Sequence, residues 1–432
     1  MKKMLVIMLA LCMTMCAGFA AADVLNAYGE PAEDGTDYTL ESGVLTVMKS
    51  GLIVSGTYSR IIVKSGVTKA TFDGVSVTAD RNSYGAGLSA LLVEAVGAEL
   101  IFAGDSNTLQ GGNGSSDRDT GAQPGGHAIE VKSGPVTIRG TVAAIGGAGG
   151  IYQYICTPGG DGIRVHDGSA VIRGRIEAVG KTEGGRGIYA SGNLTAGGGV
   201  TARGANGADG RDRSTVNGGD GAPGIYVGGT LTVDGKVVTG GGVGGIGEKS
   251  GMGSMEPWSG RGGNGGAGIL AGSVIVKQSG RLRSIGGSGG AGGKSQAYGP
   301  FVIEGGAGGR GGVGILAGSV RNEGGMLKSS GGNGGADGDG GTYGQNGMSG
   351  VAEAGEDSQF WGSEIGNDQF SGGDAPIAVE FLKHTDDDTQ NDEPAPPEEI
   401  VADLPVTGDS SSLLGWAVLL GVSAMGLCRK RR

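Results

Sequence analysis

A short unit that starts with Gly-Ile recurs along this chain, and it limits the folds that the chain can adopt. Copies of the unit occupy residues 162–165, 187–190, 224–227, 268–271 and 314–317, and residues 128–131 form an earlier copy that starts with Ala-Ile. Two more short runs, mostly rich in β-branched and aliphatic residues, follow each copy, with glycines near the turns. Short apolar runs bounded by glycine predict β-strands, so each repeat should contribute three strands.

The spacing of the repeated isoleucines predicts how the repeats are arranged. Ile129, Ile163, Ile188, Ile225, Ile269 and Ile315 are 34, 25, 37, 44 and 46 residues apart. A constant coil of about 22 residues, with an insertion of variable length at one corner, accounts for these distances. Stacked coils place one aliphatic residue above the next at ~4.8 Å, so the stack buries side chains that no single coil could bury. We therefore expect an all-β fold, a right-handed parallel β-helix (solenoid) with glycine-rich loop insertions.

Glycine fills two of every three positions in the longer insertions, as in residues 286–294 and 305–310. This period permits extended left-handed helices with three residues per turn, which pack closely because few side chains separate their backbones. The sequence leaves two alternatives open. The insertions either form ordered glycine layers along one edge of the solenoid or are loops without a fixed structure.

Composition excludes several classes of protein. Glycine is 99 of 432 residues, but proline is only 12, which argues against a collagen-like chain. The recurring β-branched residues argue against simple disorder. The formal net charge is −11 and no basic stripe is present, so we expect no nucleic-acid partner.

A sorting motif stands near the end of the chain. Residues 404–408 read LPVTG, an apolar run covers residues 413–428, and residues 429–432 are all basic. This order resembles the cell-wall sorting signal of Gram-positive surface proteins, with Leu404, Pro405, Thr407 and Gly408 at its defined positions. The resemblance implies that a sortase cuts between Thr407 and Gly408 and joins the Thr407 carbonyl to an amine of the peptidoglycan precursor. The implied partners are therefore a sortase and peptidoglycan.

The apolar run suits transient retention in a membrane. As a helix its 16 residues would span ~24 Å, short of the ~30 Å hydrocarbon core but workable where basic side chains reach the headgroups. A basic end favours the cytoplasmic side. We expect a C-terminal transmembrane sorting helix at residues 413–428. The alternative is a tail-anchored membrane protein whose LPVTG is accidental.

Residues 1–22 are typical of a secretory signal peptide, with two lysines, an apolar run and small residues before Ala22. Removal of this segment and of the sorting tail leaves Cys156 as the one cysteine, so the mature chain can form no internal disulfide. We interpret Cys156 as an incidental loop residue, because no histidine stands beside it in sequence. The expected location is outside the cell, covalently anchored to the Gram-positive cell wall.

Four segments follow from these features. Residues 1–22 form the signal peptide, residues 23–385 the β-solenoid, residues 386–403 a wall spacer and residues 404–432 the sorting signal. The spacer is rich in acidic residues and contains three prolines, which makes it solvated and self-repelling. Residues 377–381 are a candidate capping strand at the end of the solenoid.

The first coils resemble a known class of binding protein. The short alternating runs at residues 43–47, 60–67 and 70–77, together with residues 99–109, resemble the carbohydrate-binding β-helix proteins of anaerobic Gram-positive bacteria. The resemblance covers residues 38–200 through a diffuse pattern. It implies acidic plant polysaccharide such as polygalacturonate as the ligand class, with calcium. Residues 159–165 and 331–337 do not fit the calcium nonapeptide repeat, so the residues leave the metal site unassigned.

Five aromatic residues of the insertions are the candidate ligand contacts. They are Trp258, Tyr298, Phe301, Tyr152 and Tyr154. Exposed aromatic faces stack on sugar rings, although the same rings could instead pin a long loop to the solenoid wall. Acidic residues mostly stand alone at turns, where turn formation explains them, so we assign no catalytic residue.

Three functions remain open at this stage. We expect a polysaccharide-binding or adhesion module without enzymatic activity, whose partner is an extracellular or plant polysaccharide or a host surface. The first alternative is a polysaccharide-degrading enzyme of the pectate lyase or polygalacturonase type. The second is a structural stalk without a ligand.

The sorting signal generates a first test. Thr407→Ala should leave the protein in the membrane fraction, because the acyl-enzyme forms at the Thr407 carbonyl in the sortase pattern. Fractionation of cells followed by digestion of the wall measures the attachment. Wall attachment equal to that of the wild type would contradict the sorting assignment.

Overall fold

The computed structural model describes residues 23–152, 155–210, 217–248, 259–294, 297–298, 301–302, 305–336 and 338. Across these ranges the regular secondary structure is β-strand, with no α-helix. The same ranges contain no helix that is long and apolar enough to cross a membrane. The expected signal peptide, capping strand, spacer, transmembrane helix and sorting signal all lie outside the described residues.

Twenty-six strands are present in the described part of the chain. They are β1 (Val24–Leu25), β2 (Tyr38–Glu41), β3 (Val44–Val47), β4 (Leu52–Tyr58), β5 (Arg60–Val63), β6 (Lys69–Thr78), β7 (Leu91–Val93), β8 (Glu99–Gln110), β9 (Ser116–Asp117), β10 (Gly121–Ala122), β11 (Ile129–Ser133), β12 (Val136–Ile145), β13 (Ile151–Tyr152), β14 (Ile155–Cys156), β15 (Ile163–Asp167), β16 (Ala170–Val179), β17 (Ile188–Ala190), β18 (Leu194–Arg203), β19 (Ile225–Val233), β20 (Lys236–Gly240), β21 (Ile269–Val276), β22 (Arg281–Ile285), β23 (Ala297–Tyr298), β24 (Phe301–Val302), β25 (Ile315–Asn322) and β26 (Met326–Ser330). Twenty of these strands form one large, mostly parallel sheet, and the other six form three two-stranded antiparallel hairpins.

The strand register confirms the repeat that the isoleucines predict. Strands β11, β15, β17, β19, β21 and β25 pair in parallel, one after another. This pairing places Ile129, Ile163, Ile188, Ile225, Ile269 and Ile315 opposite one another in that order. All six side chains are buried. Each contributes about 1.5–3 kcal/mol by leaving water, and only stacking of the repeats makes that possible.

The second and third runs of each repeat also stack in register. Val142 of β12 lies opposite Ile176 of β16, which lies opposite Val200 of β18. The same column continues through Val237 and Leu282. The expected all-β fold with a large parallel sheet is therefore present.

The N-terminal end of the sheet is antiparallel. Strand β1 pairs with β4 and β2 pairs with β3, both in antiparallel register. Val24 is buried there against the first parallel strands. Antiparallel strands at the end of a parallel stack occupy hydrogen-bonding groups that would otherwise be open to another chain.

The insertions contain ordered, closely packed segments, which resolves the alternative that the sequence leaves open. We call the segments that leave the sheet outgoing legs: residues 111–115, 146–150, 204–210, 241–248, 286–294 and 331–336. The segments that come back to it are returning legs: residues 86–90, 123–128, 157–162, 185–187, 217–224, 259–268 and 305–314. Almost none of these legs is strand, yet their backbones are hydrogen-bonded to one another.

The backbone bonds of the longer legs repeat every three residues. The first glycine of a triplet donates its N–H to the equivalent leg of the next insertion, as Gly244 does to the Ser288 carbonyl at 2.9 Å. The second glycine donates to a leg of opposite direction, as Gly245 does to the Gly219 carbonyl at 2.8 Å. A three-residue period matches the three residues per turn of a polyproline II helix. The legs thus form two layers that are bonded both within and between themselves.

Glycine is required at these positions because the backbones are in contact. A Cβ atom on Gly245 would lie 2.0 Å from the Ala208 carbonyl oxygen, and one on Gly263 would lie 1.8 Å from the Gly219 carbonyl oxygen. Neither distance leaves room for a methyl group. The limit is space, since neither glycine has the positive φ that disfavours other residues.

The close packing of the legs generates a second test. Gly263→Ala should lower the free energy of unfolding by about 2 kcal/mol or more, because the returning leg must move away from its neighbour to admit the methyl group. Gly240→Ala is the matched control, since a Cβ atom there meets nothing within 4 Å. Urea unfolding of both variants measures the difference, and equal stability would show that the layers are not packed in this way.

Candidate functional site

Only some of the predicted ligand contacts lie among the described residues. Tyr152 lies in β13, which pairs with β14 at the tip of its insertion. Tyr298 and Phe301 are opposite each other in the β23–β24 hairpin, at the tip of another insertion. Trp258, Tyr154 and the sorting residues Leu404, Pro405, Thr407 and Gly408 lie outside the described residues. Three of the five candidate aromatics are therefore located, all of them at insertion tips.

Neighbouring tips are joined by hydrogen bonds. Ser115 donates its backbone N–H to the Gly85 carbonyl at 2.7 Å, and Ile151 donates its N–H to the Ser116 hydroxyl at 2.9 Å. These bonds connect three successive tips into one row. Ile151 and Ile155 beside Tyr152 are 38% and 57% exposed, so this row presents apolar side chains to solvent.

A recurrent pair of residues, an Asn or Asp followed by Gly, sets the register between legs; we call it the Asx-Gly clamp. In one clamp the Asn206 side chain accepts the N–H of Val243 at 3.0 Å, and the Gly207 N–H donates to the carbonyl of the same Val243 at 2.8 Å. The clamps are Asn113-Gly114 on Ala148, Asn206-Gly207 on Val243, Asp209-Gly210 on Ile246, Asn217-Gly218 on Arg261, Asp220-Gly221 on Asn264 and Asn264-Gly265 on Arg310. Each clamp accepts the N–H of the third residue of a triplet, which is the N–H that the bonds of the two glycines do not involve.

A second cluster lies where the returning legs meet the sheet. We call the buried column of aliphatic residues that contains Ile129 and Ile315 the first ladder. One side of the cluster is formed by the outward-facing residues of its strands, which stack in register: Glu130, Arg164, Tyr189 and Tyr226. The other side is formed by the residue two positions before each ladder aliphatic, namely Ser89, His127, Asp161 and Arg186. We call these eight residues, together with His166, the polar corner.

Asp161 is the centre of the polar corner. Its side chain is almost completely buried, and it accepts the backbone N–H of Arg186 at 2.6 Å and Nη1 of Arg164 at 3.1 Å. Its own backbone N–H donates to Nδ1 of His127 at 2.9 Å. Asp161 thereby joins two returning legs and one strand, and its charge is paired within the protein.

The carboxylate of Glu130 is held ionised. Burial opposes its charge, but hydrogen bonds from Ser89 and Lys132 outweigh burial and lower the pKa of Glu130 to about 2. His166 lies on the same carboxylate, with Nε2 2.9 Å from Oε1. A general acid in glycoside cleavage needs a raised carboxyl pKa, and Glu130 has the opposite shift. Glu130 is therefore unsuited to the general-acid role, and its ionised form acts as a hydrogen-bond acceptor for Ser89 and Lys132.

His127 is held neutral. Burial lowers the pKa of His127, and this effect outweighs the Asp161 carboxylate, whose Oδ2 lies 3.8 Å from Nδ1. Arg164 shares that carboxylate and also opposes protonation of the ring. His127 therefore acts as an acceptor for the Asp161 N–H.

Two arginines surround a stacked pair of tyrosines. The Tyr189 and Tyr226 rings are nearly parallel, with centroids 5.1 Å apart. The Arg164 guanidinium carbon lies 4.7 Å from the Tyr189 centroid. The Arg186 guanidinium carbon is 5.0 Å from the Tyr189 centroid and 5.1 Å from that of Tyr226. Stacking and cation–π contacts hold these four side chains in fixed positions.

Sequence reasoning missed the polar corner. In the sequence the acidic residues mostly stand alone at turns, and this pattern does not single out Asp161 or Glu130, both of which belong to the polar corner. The available signal was positional: polar residues recur two places before and one place after the ladder aliphatic in neighbouring repeats.

No group of three or more metal-binding side chains occurs in the part of the chain that the structure describes. The sequence assigns no cofactor, and the calcium that the resemblance to carbohydrate-binding β-helix proteins implies stays a prediction. In comparisons with known proteins, no family model, curated protein or solved structure matches this chain.

Acid stability tests the polar corner. Because the pKa of His127 lies below its ordinary value of 6.5 in the folded chain, the unfolded chain takes up this proton first, and the free energy of unfolding should fall as the pH drops below 6.5. For Glu130, with a pKa lowered from 4.5 to about 2, a further loss should follow between those two values.

Urea unfolding at about pH 7.5 and about pH 5 isolates the histidine effect. His127→Gln should show a smaller decrease than the wild type, because glutamine does not titrate and its amide oxygen can still accept an N–H. An equal decrease in both proteins would show that His127 is not the origin.

Proposed function

We propose that this protein is secreted, joined covalently through Thr407 to Gram-positive peptidoglycan, and binds an extracellular polysaccharide with its insertions. The LPVTG motif, the apolar run at residues 413–428 and the four terminal basic residues support wall anchoring. The acidic spacer at residues 386–403 would hold the binding domain away from the peptidoglycan.

The proposed fold of that domain is a right-handed parallel β-helix. Support comes from the parallel, in-register pairing of each strand with its equivalent in the next repeat. Connections between parallel strands of one sheet are almost always right-handed. Such a helix brings all the insertions to one corner.

The observation that carries the binding proposal is that hydrogen bonds hold the legs in a fixed conformation. Hydrogen bonds within and between the two glycine layers fix each leg, and bonds between tips extend this order to the first three insertions. Fixed tips lose little conformational entropy when they bind. A polymer lying along the row would contact several tips at once and gain from many weak contacts. This arrangement suits an extended polysaccharide better than a small ligand.

Two of the candidate aromatic residues of the insertions provide the test. Trp258→Ala combined with Tyr298→Ala should weaken retention on the polysaccharide that the wild type binds best in a glycan array, with and without calcium, because sugar rings stack on aromatic faces. The melting temperature should not change. Tyr28→Ala is the matched control, because Tyr28 is 90% exposed and lies outside the insertions.

The opposite pattern would contradict the proposal. A lower melting temperature with unchanged retention would mean that these rings brace the insertions, and the structural stalk would then explain the protein better.

A further inference from the structure

Arg186 is an uncompensated cation in the polar corner. Its guanidinium carbon lies over the rings of both stacked tyrosines, 5.0 Å from the Tyr189 centroid and 5.1 Å from the Tyr226 centroid. A cation–π contact stabilises the charge but supplies no oxygen acceptor for the N–H groups. Its Nε is buried without a hydrogen-bond partner. Among the described residues no carboxylate forms an ion pair with Arg186.

The nearby carboxylates are already occupied. Asp161 accepts from the Arg186 backbone N–H and from the Arg164 side chain, and Glu130 accepts from Ser89, Lys132 and His166. The corner thus contains hydrogen-bond donors in excess of acceptors. Because Nε is closed to solvent and Arg186 as a whole is only half-buried, an external acceptor would meet the outer Nη groups of its guanidinium.

We propose that the polar corner binds an oxyanion, a carboxylate or phosphate group, at the Arg186 guanidinium. A guanidinium presents paired N–H groups that match the two oxygens of such a group. Contacts with Tyr189 and Tyr226 fix the guanidinium before the ligand arrives. Arg164 beside Tyr189 adds a second positive charge, which Asp161 shares.

The site is local and does not follow from the overall charge. The chain has a formal net charge of −11, which on average repels anions. Along the same outer column the corner gives way to Leu270 and Leu316, so the positive charge is confined to a few coils. This inference deepens the proposed function, because an oxyanion on a saccharide would be bound here while the tips hold other parts of the polymer.

Calorimetric titration of the full chain tests the site with three probes: inorganic phosphate, glucuronate and glucose. Phosphate or glucuronate should bind saturably, and glucose should not bind at the same concentrations. Arg186→Gln should weaken the anion binding about tenfold or more, since charged hydrogen bonds are lost. Arg261→Gln is the matched control, because Arg261 is an exposed arginine on another returning leg, and its binding should equal that of the wild type.

Arg186→Met is a second variant that keeps the aliphatic stem beside the tyrosines, and it decides the question if the glutamine variant does not fold. Tighter binding of glucuronate than of phosphate would identify a sugar carboxylate as the source of the oxyanion, and the reverse order would identify a phosphate group. The proposal is overturned if neither anion binds the wild type, or if the Arg186 variants bind as the wild type does.

This test is separate from the test of polysaccharide binding at the tips. If anion binding depends on Arg186 but the chain retains no polysaccharide, the anion site is supported and the proposed function is contradicted. Polysaccharide retention that depends on the tips, without anion binding, would do the reverse.

Discussion

The structure depends on one constraint: backbone hydrogen bonds join legs of the same chain at contacts where glycine leaves no side chain between them. In the legs, two N–H groups of every triplet point at neighbouring backbones, and the chains approach so closely that a single methyl group does not fit. The third N–H is satisfied, at six positions, by the Asx-Gly clamp. An insertion can therefore differ in length from its neighbours without disturbing the sheet register, and the repeats are spaced by 34, 25, 37, 44 and 46 residues.

The sequence predicts the sheet well because the pattern that marks each strand lies within a few consecutive residues. An aliphatic residue after glycine marks each ladder position, and Ile129 through Ile315 pair as that pattern predicts. Composition alone could not decide whether the insertions are ordered. Glycine raises the conformational entropy that is lost on folding, which favours disorder, but it also permits close packing of backbones. The hydrogen bonds between legs show that they are ordered, and the third position contributes where it is Asn or Asp. Asn206 and Asp220, for example, bond residues 37 and 44 positions further along the chain, and that distance becomes visible only when the repeats are aligned.

The polar corner was hidden for a related reason. Asp161 and Glu130 stand 31 residues apart and each looks like a solitary acidic residue in sequence. Stacking brings their neighbourhoods together through His127, His166 and Arg164. Elsewhere the same two columns contain Ala267 beside Leu270 and Val313 beside Leu316, an apolar solution that needs no hydrogen bonds. Because an apolar column suffices for packing at those coils, packing alone does not require the polar version.

The Asx-Gly clamp also bears on how this protein ages chemically. Asparagine followed by glycine loses ammonia when the glycine nitrogen attacks the side-chain amide carbon, and the cyclic imide then opens with water to aspartate or isoaspartate. In the clamp, the glycine N–H is bonded to a carbonyl and the asparagine oxygen holds an N–H of the same neighbouring residue, as at Asn217-Gly218 on Arg261. Both reacting groups are thus kept apart by the bonds that set the register. Asp209 and Asp220 already form clamps, so an aspartate product keeps the register, whereas isoaspartate adds an atom to the backbone and breaks it. The four Asn-Gly clamps are therefore protected from this reaction only as long as the layers remain folded.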